Sequence, residues 1–83
     1  MFAHFLIWYT RPVDPRSDLA ALSSISAQID DLAERITDMA ERYGVTPDSA
    51  IATELFGAER SMLGARRALA RASGFLDDLA GGG

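Results

Sequence analysis

Arginine is the residue through which this chain could most readily do chemistry. Four arginines lie within twelve residues of its second half, namely Arg60, Arg66, Arg67 and Arg71. Guanidinium groups bind phosphates and carboxylates, so such a block could hold nucleic acid or an anionic substrate. No aromatic residue for base stacking is interleaved with it, and the 83-residue chain has a formal net charge of −4. Because phosphate affinity is mainly a cationic effect, nucleic acid is an unlikely partner, and a small regulatory nucleic-acid-binding protein is kept as the alternative function.

Other chemical groups are few. The chain has no cysteine and no lysine, which excludes thiolate metal sites, cysteine nucleophiles and Schiff-base chemistry. Its one histidine, His4, cannot build a metal cluster and is read as a side chain within a hydrophobic segment. The acidic pairs Asp30–Asp31 and Asp77–Asp78 do not converge, because neighbouring residues on a helix point about 100° apart. We therefore expect no catalytic residues, no cofactor and no metal.

One stretch resembles an enzyme family. The segment QIDDLAERITDMAER is similar to the first helix of the small all-helical chorismate mutases in the spacing of Ile29, Asp30, Leu32, Ile36 and Arg42. The resemblance implies a site between the helices of a dimer. Those enzymes hold a dianionic substrate with both arginine and lysine, whereas this chain has no lysine and carries Ala33 at an expected acidic position. A small all-helical enzyme is therefore the less favoured alternative, since an amphipathic helix explains the same residues.

Two sets of turn residues divide the chain. Pro12 and Pro15 separate an apolar N-terminal segment with its proline hinge, residues 1–15, from a helical hairpin, residues 16–80. Within the hairpin, Gly44 suits a left-handed helix end, Thr46 can cap the next helix and Pro47 fits its first turn. The sequence thus predicts helix 1 over about 16–43, helix 2 over about 47–80, and a flexible glycine tail, 81–83.

The apolar spacing of both helices predicts how they pack. Intervals of three and four residues alternate without interruption through helix 1 at Leu22, Ile25, Ile29, Leu32, Ile36, Met39 and Tyr43. The same alternation continues through helix 2 at Ile51, Leu55, Ala58, Met62, Ala65, Leu69, Ala72, Leu76 and Leu79. Such spacing is typical of a coiled-coil seam, and alanine at alternate positions favours close helix approach. The predicted fold is all-α, an antiparallel two-helix hairpin of the coiled-coil type.

A second surface predicts self-association. A hairpin of this size has a marginal core, so a partner would supply the missing burial. Phe56 and Leu63 lie one heptad apart and off the seam of helix 2, and Gly57 and Gly64 beside them suggest close approach of another backbone. We therefore expect a homodimer that forms a four-helix bundle, or binding to a partner protein. The alternative is that this stripe packs against the N-terminal segment of the same chain.

Charge predicts the orientation of that dimer. Helix 1 carries a block of acids, namely Asp30, Asp31, Glu34, Asp38 and Glu41. Folding at residues 44–46 is expected to leave this block and the arginine block of helix 2 unopposed within one chain, so a head-to-tail dimer would pair them. Alternatively, both blocks are solvated faces with local pairs such as Asp31 with Arg35 and Asp38 with Arg42.

The opening residues, MFAHFLIWYT, are the last association element. They contain Phe2, Phe5, Trp8 and Tyr9, in an apolar run too short to span a bilayer and without the positive region of a secretory signal. As a strand, this run would be apolar on both faces and would pair with a symmetry mate or a partner. The expected function is a non-catalytic, cytoplasmic protein-interaction or assembly module. Its predicted interaction residues are Phe2, Phe5, Trp8, Tyr9, Phe56, Leu63, Arg60, Arg66, Arg67 and Arg71.

Overall fold

The fold is a pair of long α-helices. A computed structural model describes residues 13–82, in which α1 is Pro15–Gly44 and α2 is Ser49–Gly82. Gly81 and Gly82, predicted to belong to a flexible tail, are the last residues of α2. The two helices pack against each other along their lengths, and the described residues contain no strand. The prediction of an all-α helical hairpin is thereby confirmed. The predicted N-terminal strand, including His4 and the four aromatic residues proposed there, lies outside the described residues.

Local hydrogen bonds begin α1 where the sequence predicts. Asp14 is the N-cap residue, and its side chain accepts a hydrogen bond from the backbone N–H of Ser17 at 3.2 Å. Pro15 occupies the first helical turn, where its missing N–H costs nothing. Asp18 adds a negative charge to the same turn, which complements the positive end of the helix dipole.

The turn between the helices differs from the prediction in two respects, the conformation of Gly44 and the start of the second helix, since Pro47 lies in the turn and not in the first turn of α2. Gly44 does not adopt the left-handed conformation; it is the last residue of α1, and Val45 follows with φ −98° and ψ 13°. Thr46 makes a left-handed residue unnecessary, because its backbone N–H and its hydroxyl both donate to the Tyr43 carbonyl, at 3.1 and 2.7 Å. Its hydroxyl oxygen also accepts from the Asp48 N–H at 3.2 Å, and α2 begins at Ser49.

Three cross-helix relationships set the register. Asp30 faces Arg66, and Thr37 faces Glu59. Gly44 faces Ala52, since a Cβ placed on Gly44 would lie 3.9 Å from the Ala52 Cβ. In each of these facing pairs the two residue numbers add up to 96. The relationship holds from the turn to the middle of both helices. The helices are therefore antiparallel and in one continuous register.

The core of the hairpin is small. The only buried apolar side chains among the described residues are Ala33, Ala40 and Ala52, and no large side chain is fully buried. Their small volume lets the two helix backbones approach closely near the turn. Larger apolar residues such as Leu22, Ile29 and Leu55 are only half-buried.

The predicted seam of α1 is half correct. Leu22, Ile29 and Ile36 lie at the helix contact, but the side chains that alternate with them there are Leu19, Ser26, Ala33 and Ala40. The predicted alternating residues Ile25, Leu32 and Met39 are instead 41%, 44% and 41% exposed. The smaller line is preferred at the contact because alanine and serine permit a shorter distance between the helix axes.

The same displacement by one residue occurs in α2. Its half-buried residues include Leu55, Met62, Leu69, Ala72 and Leu76, as predicted, whereas Ile51, Ala58, Ala65 and Leu79 are exposed. Ala52, Glu59, Ser73 and Ala80 take their place towards α1. Half of each predicted seam is thus left facing away from the other helix.

Candidate interaction surface

The exposed halves of the two seams form one apolar face. We define the apolar face by its exposed residues, which are Ile25, Leu32, Met39 and Tyr43 of α1 and Ile51, Ala58, Ala65 and Leu79 of α2. Each exposed α2 residue immediately precedes a position that faces α1, as Ile51 precedes the buried Ala52, and Leu32 likewise precedes Ala33. In an antiparallel pair, positions that precede the contact line fall on the same side of the hairpin. The two stripes are therefore neighbours.

Half-buried residues join these stripes across the middle of the hairpin. Leu22, Ile29 and Ile36 of α1 and Leu55, Met62, Leu69 and Leu76 of α2 lie between the exposed rows. The apolar face is consequently continuous from one helix to the other. Over about 27 residues of helix it is about 40 Å long, and two adjacent helices make it about 20 Å wide, which gives an area on the order of 800 Å².

The opposite side of the hairpin is polar. Arg66 Nε lies 2.9 Å from Asp30 Oδ1, and the Thr37 hydroxyl donates a hydrogen bond to a Glu59 carboxylate oxygen. Both pairs join α1 to α2 next to the contact line. We call this side the polar face. Apolar periodicity alone does not reveal these pairs, because their members are polar. Glu59 and Arg66 nevertheless continue the three-four spacing of Ala52 and Leu55.

The ion pair corrects the prediction about charge. The acidic and arginine blocks were expected to be unopposed within one chain, but the register brings Asp30 level with Arg66. The facing positions of Arg60 to Arg71 are residues 25–36, which include Asp31 and Glu34. The charge basis for a head-to-tail dimer is therefore lost. Of the predicted local pairs, Asp31–Arg35 is present at 3.9 Å and well exposed.

A shallow groove on the polar face holds two of the predicted arginines. It is lined by Leu19, Ser23, Ser26, Arg66, Arg67, Ala70 and Ser73. Two converging arginines would favour an anion site, but Arg66 binds Asp30, and Arg67 Nη2 lies 3.8 Å from a Cβ placed on Gly64, back along its own helix. The two guanidinium groups thus have different neighbours, and the geometry gives no clamp for a dianionic substrate.

The other three arginines lie on one side of α2, because Arg60 and Arg67 are seven residues apart and Arg67 and Arg71 are four apart. Arg60 Nη2 lies 3.8 Å from a Cβ placed on Gly57, and Arg71 is exposed one turn beyond Arg67. Arg66 points towards α1 instead, where it pairs with Asp30. The four arginines therefore do not form one patch.

The predicted off-seam pair has a mixed environment. Phe56 and Leu63 are half-buried on the polar side of α2, and the register puts them level with Ala40 and Ala33. Part of their surface is thus used within the hairpin. The glycines beside them have no atom of α1 within 4 Å of a placed Cβ, so the close approach that these glycines suggested does not occur between the two helices.

Three further observations concern other kinds of site. Within residues 13–82, no group of three or more acidic or histidine side chains is arranged to hold a metal ion. Neither α1 nor α2 has the length of apolar sequence that a membrane-crossing helix requires. Buried side-chain nitrogen or oxygen atoms without a hydrogen-bond partner are absent from this part of the chain.

Comparison with protein-family models, with curated proteins and with solved structures found no match for this chain. The surface that distinguishes the hairpin is the apolar face, together with the two polar pairs behind it. Its function is accordingly inferred from the geometry of these two faces.

Proposed function

We propose that this chain is a non-catalytic assembly module, and that two copies associate through their apolar faces into a four-helix bundle. One observation carries the proposal: among the described residues the hairpin buries only three alanines, while most of its large apolar side chains line one continuous, partly exposed face. The proposed role is adhesive, since the chain supplies a helical surface that a second copy covers.

The size of the apolar face supports association. Monomeric soluble proteins rarely expose contiguous apolar patches larger than a few hundred Å². The footprint of the apolar face, on the order of 800 Å² per copy with its half-buried residues included, is comparable to the contribution of one partner to a standard protein interface. Complete burial of a leucine, isoleucine or methionine side chain stabilises by about 1.5 to 3 kcal/mol, so covering the exposed part of Ile25, Leu32 and Met39 alone is a substantial gain.

The three-four spacing supports a bundle in particular. In a four-helix bundle, the two alternating positions of each helix point towards the common centre, and each helix contacts two neighbours. Within one hairpin only half of these positions face the other helix. A second hairpin on the apolar face would give every residue of the predicted seams an apolar neighbour.

Solution mass tests the proposal directly. We expect light scattering over a range of concentrations to give about twice the 8.9 kDa mass of one chain. Leu32→Gln puts an amide into the middle of the apolar face and should shift the protein towards monomer. Ala27→Gln is the matched control, because Ala27 is exposed in the same helix but off the apolar face. A compact, stable monomer at every concentration would overturn the proposed association.

The N-terminal aromatic residues remain a second part of this proposal. Phe2, Phe5, Trp8 and Tyr9 supply further apolar surface by sequence alone. Deleting residues 1–10 should lower the stability or the association of the protein if this segment contributes to the assembly. Unchanged mass and unchanged stability would show that the helical hairpin acts without it.

A further inference from the structure

We infer that the two copies lie with their turns at the same end, so that α1 of each copy packs against α2 of its partner. This inference rests on the proposed association and adds its geometry. The two-fold axis would run parallel to the helices between the two apolar faces. Such an axis leaves every residue at its own height, and the register of one hairpin therefore also describes the contact between copies.

Side-chain size is the first reason for this arrangement. In the observed register, Met39 is level with position 57, Leu32 with position 64 and Ile25 with position 71. The α2 residues one position further along are the exposed Ala58 and Ala65 and the half-buried Ala72, a displacement of about 1.5 Å in height. Each large side chain of α1 would thus meet a small residue of the partner's α2.

The reverse arrangement lacks this match. With the turns at opposite ends, α1 would pack against the partner's α1 and α2 against the partner's α2. Large residues would then face large ones, with Leu32 opposite the partner's Leu32, and alanines would face alanines. The large residues would increase the distance between α1 and the partner's α1, whereas the alanines would shorten the distance between α2 and the partner's α2. A bundle with even spacing between its helices does not allow both.

Charge at the rim is the second, independent reason. Arg42 of α1 and Glu54 of α2 flank the apolar face on its outer edges, three residues from Met39 and Ile51 respectively, and both are exposed. Their numbers add up to 96, so with the turns together Arg42 is level with the partner's Glu54. Two-fold symmetry forms this pair twice. With the turns apart, Arg42 would face the partner's α1 and Glu54 the partner's α2, so this pair would not form.

A single spin label distinguishes these arrangements. The chain has no cysteine, so Val45→Cys provides one labelling site per copy, in the turn, at a residue that is 88% exposed. With the turns together, pulsed electron paramagnetic resonance should give a label-to-label distance of about 15 to 30 Å, from two helix diameters and the label arms. With the turns apart, the distance should be about 45 Å, the length of a 30-residue helix.

Each outcome has one interpretation when the mass of the labelled protein is measured in parallel. A dimer with the short distance supports the inference. A dimer with the long distance overturns the inference and leaves the proposed function standing. A monomer with no dipolar signal overturns both. Exchange with an excess of unlabelled protein should strongly reduce the dipolar signal of a dimer, because most labelled copies then pair with an unlabelled one, and this verifies that the distance joins two copies.

Discussion

Arg66 Nε lies 2.9 Å from Asp30 Oδ1, and this ion pair joins the middle of α2 to the middle of α1. Together with the hydrogen bond from Thr37 to Glu59, it gives the hairpin a polar face directly behind its apolar one. Both side chains of the ion pair remain about half exposed. The pair therefore contributes to register more than to stability, since solvent screens an exposed charge interaction.

A double-mutant cycle should measure this contribution. We expect Asp30→Asn and Arg66→Gln each to lower the free energy of unfolding, with a coupling energy of about 0.2 to 1 kcal/mol between them, because the pair is half exposed. Urea denaturation followed by circular dichroism is the measurement. The control is the more exposed pair Asp31–Arg35, whose atoms are 3.9 Å apart and whose coupling should be smaller. Equal coupling at both sites would contradict the structural distinction.

Close packing at Ala40 should be sensitive to volume. Ala40 is fully buried, so Ala40→Leu must separate the helices or strain its own rotamer, and we expect a loss of about 1 to 3 kcal/mol in the free energy of unfolding. Ala27→Leu adds the same volume at an exposed position of α1 and should change stability little. Denaturation of both variants at one protein concentration checks the difference. Equal stability would show that α1 and α2 do not meet closely at Ala40.

The glycines of α2 provide a test of the face on which they lie. A Cβ on Gly57 or Gly64 would meet only an arginine Nη2, at an ordinary contact distance of 3.8 Å. Each glycine-to-alanine change should therefore stabilise α2 by about 0.5 to 1 kcal/mol.

Gly74→Ala is the matched control, because nothing lies within 4 Å of a Cβ at that position. All three variants should raise the midpoint of thermal unfolding without changing the solution mass. If Gly57→Ala and Gly64→Ala weakened association while Gly74→Ala did not, the second copy would approach the glycines rather than the apolar face.

Reversing charges at the rim should change the affinity between copies. Arg42→Glu alone puts a second acid level with Glu54 of the partner. Over the two symmetric sites, this repulsion should weaken the dimer by about 0.4 to 2 kcal/mol. Adding Glu54→Arg restores opposite charges and should recover most of the affinity. Sedimentation at low salt, compared with high salt, is the measurement, because salt screens exposed pairs. If the double variant did not recover the affinity between copies, these two side chains would not be neighbours in the dimer.

Much of the hairpin was predictable because its signals are local. Pro15 was predicted to precede α1 directly and is in fact its first residue, and Thr46 with its neighbours separates the two helices as predicted. Each acts through hydrogen bonds or backbone restrictions within a few residues. The left-handed Gly44 was wrong because a glycine permits that conformation without requiring it. The hydroxyl of Thr46 satisfied the Tyr43 carbonyl in another way.

The candidate surface was only partly predictable. The three-four alternation correctly identified Leu22, Ile29 and Ile36 as apolar contact residues, but periodicity names a stripe without saying which edge of it meets the other helix. Ile25 and Leu32 fit the pattern equally well and are exposed. Polar contact residues such as Glu59 were missed, because their partners come from the other helix.

The sequence by itself determined two helices, the turn between them and an apolar stripe on each, since these follow from the intrinsic properties of residues near one another in the chain. Only the tertiary structure decided the rotation of the helices about their own axes. Small residues at Ala33, Ala40 and Ala52 allow closer packing than the larger ones beside them, and this turned half of the apolar stripe outward. That rotation depends on how two distant surfaces fit together, and it created both the polar face and the apolar face on which the proposed function rests.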